Sequence, residues 1–108
     1  MKTFTFNSYE EFGLFFKINS NTIKDLTESQ EKKDEADTFL KLFQSSKGGC
    51  PCNKNKRLEA VKNNYPTFIP SFFRDNEAAV TFIKVALDDV DVVHFKSESQ
   101  DEVAFFII

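Results

Sequence analysis

The sequence predicts an α+β fold: a small antiparallel sheet, made of an N-terminal strand and a C-terminal β-hairpin, with a long α-helical hairpin packed on it. Three observations predict it. Phe4 and Phe6 alternate with polar residues in KTFTF, the period of a half-buried strand. Apolar residues then recur at helical spacing through the middle of the chain, at about 28–65. Two β-rich runs, VDVVHFK and DEVAFFII, close it at about 90–108. With 108 residues the chain is long enough for one modest core, so 1–108 is read as a single domain.

After the first strand, Ser8 and Glu11 form an S-x-x-E capping box that opens a short helix near Tyr9. Its buried stripe is Tyr9, Phe12 and Phe16, and its weak point is Gly13. NSNT, at 19–22, reads as a loop. Thr27 and Gln30 form a second box and open a helix over about 28–46. Its first half, ESQEKKDEAD, has no large apolar residue and requires solvent or a polar partner. The second half carries the stripe Ala36, Phe39, Leu40 and Phe43, and Gly48 with Gly49 ends it.

A further helix over about 53–65 presents Leu58, Val61 and Tyr65 on one face. It is expected to stop before Pro66, because the residue ahead of a proline is pushed out of helical space. PTFIPSFFRDN then reads as an irregular aromatic connector. NEAAVTFIKVAL fits a helix with Ala79, Phe82, Ile83 and Ala86 inward, while AVTFIKV also fits a β-branched strand. Asp75 or Asn76 ahead of Glu77 resembles a cap and favours the helix. The closing hairpin turns through SESQ.

Composition narrows the function classes. Fourteen Phe, two Tyr and no Trp make a bulky core from a short chain, with rings to spare for a partner surface. Twelve Lys against two Arg, together with eight Asn, is the bias that AT-rich codons produce. A net charge of −3 argues against a general nucleic-acid binder. There is no run long and apolar enough to span a membrane, and MKTFTFNSYEE lacks the apolar stretch of a secretory signal. The expected location is a virion or the cytoplasm of the producing cell.

QSSKGGCPCNKNKRLEA, at 44–60, concentrates both cysteines with two glycines, a proline and four cations at the tip of the helical hairpin. Cys50 and Cys52 with His94, the only histidine, could supply thiolate and imidazole ligands to zinc. The C-x-C spacing is shorter than the usual clasp, so zinc stands as the alternative to no cofactor. A strained Cys-Pro-Cys disulfide is a second chemistry for the same residues. The third is electrostatic: Lys54, Lys56 and Arg57 crowd the first turn of a helix, where the macrodipole already favours an anion or an acidic partner. The plain reading is a tight turn with solvated lysines.

Other candidates carry less. Asp88, Asp89 and Asp91 lack the spacing and glycine of a calcium loop and read as a charged turn. His94 has no nucleophile at a known spacing and reads as a half-buried structural residue. No phosphate loop or dinucleotide fingerprint occurs, so an enzyme is not expected. The segment 38–58 holds five positive charges, leaving −8 for the rest, a polarity that suits head-to-tail docking of copies. Val103, Phe105, Phe106, Ile107 and Ile108 either complete the core sheet or form a strand that pairs with a neighbouring subunit. The expectation is a non-enzymatic structural protein that acts through other protein subunits, as a homo-oligomer or within a larger assembly. A small phage-like virion component, such as a connector, a neck or tail-completion protein, or a capsid cement protein, fits best. The alternatives are a small regulator of a cellular target and a zinc or redox module.

Overall fold

Seven elements follow one another in the computed structural model, which describes residues 1–46 and 54–108. They are β1 (Thr3–Phe6), α1 (Tyr9–Leu26), α2 (Gln30–Ser46), α3 (Lys54–Phe73), α4 (Glu77–Ala86), β2 (Val92–Lys96) and β3 (Glu102–Ile107). The fold is α+β. The N-terminal strand and the C-terminal hairpin share one three-stranded sheet in the order β1-β2-β3. β2 and β3 are antiparallel, as expected of a hairpin, but β1 runs parallel to β2, from Thr3↔Val92 to Phe6↔Phe95. The sheet is therefore mixed. Four helices separate β1 from β2, so no tight turn dictates their relative direction.

α1 starts where its sequence says. Ser8 is extended at φ −162°, and its Oγ accepts the Glu11 N–H at 3.2 Å. The helix then runs on through 19–22, which the sequence reads as a loop. Two polar residues there bond back into the helix: Asn19 Nδ2 donates to the Phe15 carbonyl and Ser20 Oγ to that of Lys17. Ile23, fully buried, extends the stripe of Tyr9, Phe12 and Phe16 by two turns. That burial outweighs the local turn preference.

Thr27 was expected to open α2 and instead closes α1. Its N–H reaches the Ile23 and Lys24 carbonyls, and its Oγ1 donates to Ile23 at 2.8 Å. Ser29 takes the capping place, with its Oγ 3.4 Å from the Lys32 N–H and its carbonyl accepting from Lys33. The polar first half of α2 finds polar partners. Lys32 Nζ donates to the Ser71 carbonyl, Ser71 Oγ donates to Glu35, and Asp37 pairs with Lys24 of α1 at 2.8 Å. The start of α2 thus lies against the end of α3, which makes the two an antiparallel hairpin.

α3 passes straight through Pro66 and Pro70, where the sequence predicts a stop and an irregular connector. The reason is the other face of the same segment. Tyr65, Phe68, Ile69, Phe72 and Phe73 are all buried, whereas both prolines are exposed. The residues whose carbonyls lose a donor to proline, Lys62 and Pro66, are exposed, so their carbonyls are open to water. α4 is the helix its cap suggested, with Ala79 and Ile83 buried and Phe82 half-buried, although Ala86 points out. Asn76 does not cap α4 with its side chain. Its Nδ2 donates instead to Thr27 Oγ1 at 3.3 Å, tying the α3–α4 turn to the α1–α2 turn.

The core is a stack of rings. Phe12 touches Phe6 of β1, Phe39 of α2, Tyr65, Phe68 and Phe73 of α3, and Phe95 of β2, with centroids 5.5 to 6.4 Å away. Phe39 and Phe68 lie face to face at 4.9 Å across the α2–α3 contact. Gly13 is what lets α1 approach α2 here, because a Cβ at this position would clash with the Phe43 ring. Gly13 is a packing requirement rather than a weak point.

The aspartate turn after α4 anchors β1. Asp88 and Asp89 take left-handed φ of 63° and 59°, which Asp tolerates better than most residues. Lys2 Nζ pairs with Asp88 at 2.7 Å, the Lys2 N–H donates to Asp91 Oδ2, and the Asp91 N–H donates back to the Lys2 carbonyl. The Lys2 hydrogen bond and charge hold the Asp88 carboxyl below the ordinary value of 3.8, and the Lys2 backbone N–H does the same for Asp91.

Two outcomes follow from this packing. Gly13→Ala should destabilise the protein by about 1–3 kcal/mol in urea titration, the usual cost of overpacking, despite the gain in helix propensity. Because both aspartate values are lowered on folding, the contribution of the Lys2 clamp is complete above 3.8 and is lost as pH falls through the lower folded values. Replacing both with Asn should therefore flatten the fall in thermal midpoint below about pH 4, and leave its slope unchanged near neutrality.

Candidate interaction surface

Strand alternation divides the hairpin into two faces. Val93, Phe95, Ala104 and Phe106 point to the helices, and Phe106 meets Phe73 at 5.8 Å and Phe95 at 5.9 Å. Val92, His94, Phe105 and Ile107 point the other way. Val92 is buried between its neighbours Thr3 and Ile107, but Phe105 is 53% and Ile107 76% exposed. His94 lies between them in character: its ring stacks on Phe105 at 5.7 Å and its Nδ1 meets the Glu102 carboxylate.

β3 is also an edge. Among the described residues no strand lies beyond it. The Ile108 N–H donates to the Asp91 carbonyl at 2.8 Å, and the register carries on through Val93↔Phe106 and Phe95↔Ala104. An antiparallel ladder alternates, so Ala104 and Phe106 turn their backbone groups to β2 while Phe105 and Ile107 turn theirs outward. The two most exposed large apolar side chains of the sheet therefore belong to residues whose N–H and C=O are open. Edges of this kind are ordinarily blunted by lysine, proline or a bulge in the strand. β3 has neither residue, and its one irregularity is at the start, where Phe95↔Ala104 is followed by Lys96↔Glu102 and Val103 is the extra residue. The hairpin loop spans 97–101 rather than SESQ alone, closed by Ser97 N–H to Asp101 C=O at 2.9 Å.

The strand residues singled out in the sequence thus separate. Phe105 and Ile107 form the outer surface, Phe106 and Ile108 pack against the core, and Val103 is half-buried at the bulge. Lys54, Lys56 and Arg57 fall in the first turn of α3, which contains no acid; Lys56 is exposed and Arg57 half-buried. Cys50 and Cys52 lie outside the described residues. His94 is occupied by Glu102 and Phe105, and among the described residues no group of three or more His, Cys, Asp or Glu is arranged to hold a metal. None of the described helices is long and apolar enough to cross a membrane.

Two further surface features escaped the sequence. Glu31, Asp34, Glu35, Thr38, Asn64 and Ser71 line a groove of ≈ 390 Å³ between α2 and α3, where Glu35 Oε2 and Asn64 Oδ1 are buried without a partner. Its residues come from α2, most of them from the half that reads as solvated, and from α3 on either side of the break expected at Pro66, so no local signal joins them. Leu26, Ala78, Thr81, Phe82 and Val85 line a second, apolar groove between α1 and α4. A long α1 was needed to find it. No family model, curated protein or solved structure matches this chain.

Proposed function

We propose that the protein is a non-enzymatic assembly component that works through protein–protein contact, with the edge and outer face of its sheet as the contact surface. One observation supports the reading above the others: Phe105 and Ile107 stand in solvent on an edge strand with no lysine or proline, beyond its one bulge. A lone soluble domain gains from blunting such an edge, whereas a subunit uses it. The AT-rich codon bias, which bacterial and viral genomes share, is consistent with a phage-like virion as the setting, in a connector, neck, tail-completion or cement role. A second reading, a regulator that docks one cellular protein, draws on the α1–α4 groove and on Ile18, which is 81% exposed two turns before Leu26.

A photo-crosslinking residue placed at 107, at 85 or at the exposed control position 59, in producing cells, tests both. Protein adducts at 107 and none at 59 are expected. Adducts at 85 alone transfer the function to the helical groove, and a chain that stays uncrosslinked at 107 and 85 sinks the contact reading.

A further inference from the structure

We infer that the occupant of the β3 edge is the β3 strand of a second copy, paired antiparallel about a two-fold axis that passes through Phe105. The inference rests on the contact reading above and adds the partner, the direction and the register.

The register follows from which groups are open. Along β3, Phe105, Ile107 and, at the bulge, Val103 offer backbone groups to a new neighbour. A two-fold at Phe105 makes it exchange both hydrogen bonds with its own counterpart and sets Ile107 opposite Val103. Over 103–107 every cross-strand pair is then apolar: ring against ring, Ile107 against the half-buried Val103, and Phe106 against Ala104 on the helical side, while Glu102 falls opposite Ile108. Such aromatic and β-branched pairs are the combinations that stabilise antiparallel strands. No charge stands opposite its own copy.

Charge also sets the direction. Glu98, Asp101 and Glu102 crowd the start of β3, and Ile107 lies at the other end beside Val92. Parallel pairing would bring two acidic turns side by side, whereas antiparallel pairing sends them to opposite ends of the dimer. Glu102, the only charge in the strand, is already answered within its own chain by His94. A charged foreign peptide finds nothing here to recognise. A second copy of an apolar strand does. The product is a continuous six-stranded sheet, β1-β2-β3-β3-β2-β1, with both sets of helices on one side and Phe105 and Ile107 of both copies forming one apolar face on the other.

Sedimentation equilibrium of the full chain tests the pairing. The wild type should have twice the 12.5 kDa chain mass, with a dissociation constant in about the micromolar range expected of a small interface. Phe105→Pro removes an N–H that points away from β2, so it should weaken the dimer about tenfold or more while the far-UV circular dichroism is unchanged. Should that variant misfold, Ile107→Lys, at a 76% exposed position, carries the same expectation. A Phe105→Cys chain, with Cys50 and Cys52 replaced by Ser, should oxidise to a disulfide dimer, because counterparts in such a pair stand within disulfide reach. A wild type that remains single-chain at ~100 µM, well above a micromolar dissociation constant, overturns the inference. So does a dimer that persists in folded Ile107→Lys, or an open series of larger species. The crosslink at 107 separates the two levels: an adduct of two chain masses supports self-pairing, and an adduct with a foreign protein removes it while keeping the contact function.

Discussion

The structure depends on the burial of one ring. Phe12 is wholly inside and meets aromatic side chains from β1, α2, α3 and β2. Phe95 of β2 is its counterpart on the sheet, meeting rings of β1, α1, α3 and β3. A domain of this length buries a limited fraction of its surface, and rings supply the most apolar area per residue for that purpose. The cost is geometric, since rings accept edge-to-face or offset neighbours and leave little slack. Gly13, one position along, belongs to the same constraint: α1 lies close enough to place Phe12 only because nothing projects from the next residue toward Phe43.

That constraint explains what the sequence revealed and what it concealed. Strand alternation in KTFTF and VDVVHFK, the Ser8 cap and the Phe39–Phe43 stripe are local patterns, and each appears where its pattern lies. The failures cluster where packing contradicts a local rule. Asn19 and Ser20 favour a turn, yet Ile23 draws the helix past them into the core. Pro66 and Pro70 signal a break, yet Phe68, Ile69 and Phe72 are needed inside, and the prolines fall on the face where a lost hydrogen bond costs least. Thr27 satisfies a capping pattern and serves the opposite helix end. The parallel direction of β1 has no local trace at all, since it is fixed by Lys2 meeting a turn 86 and 89 residues away.

The surface was legible to a different degree. The apolar strand at 103–108 stands out in the sequence as either core or contact, and the pleat divides it between the core and solvent. Phe106 and Ile108 turn inward while Phe105 and Ile107 turn outward, a division that needs the register and not the composition. Grooves built from two distant helices have no such signature. The α2–α3 groove joins Glu35 to Ser71, and the α1–α4 groove joins Leu26 to Phe82, pairs that only the folded chain brings together.

The parallel pairing of β1 with β2 also orders events during synthesis. Local helical contacts can form as the middle of the chain leaves the ribosome, but Thr3–Phe6 has no strand to join until Val92–Lys96 has emerged. Phe6 must therefore rest against helices before it has a sheet. β3 emerges after β2, and its outer edge exists only once the two have paired. Of the described elements, the strand that carries the exposed Phe105 and Ile107 is therefore the last to join the sheet.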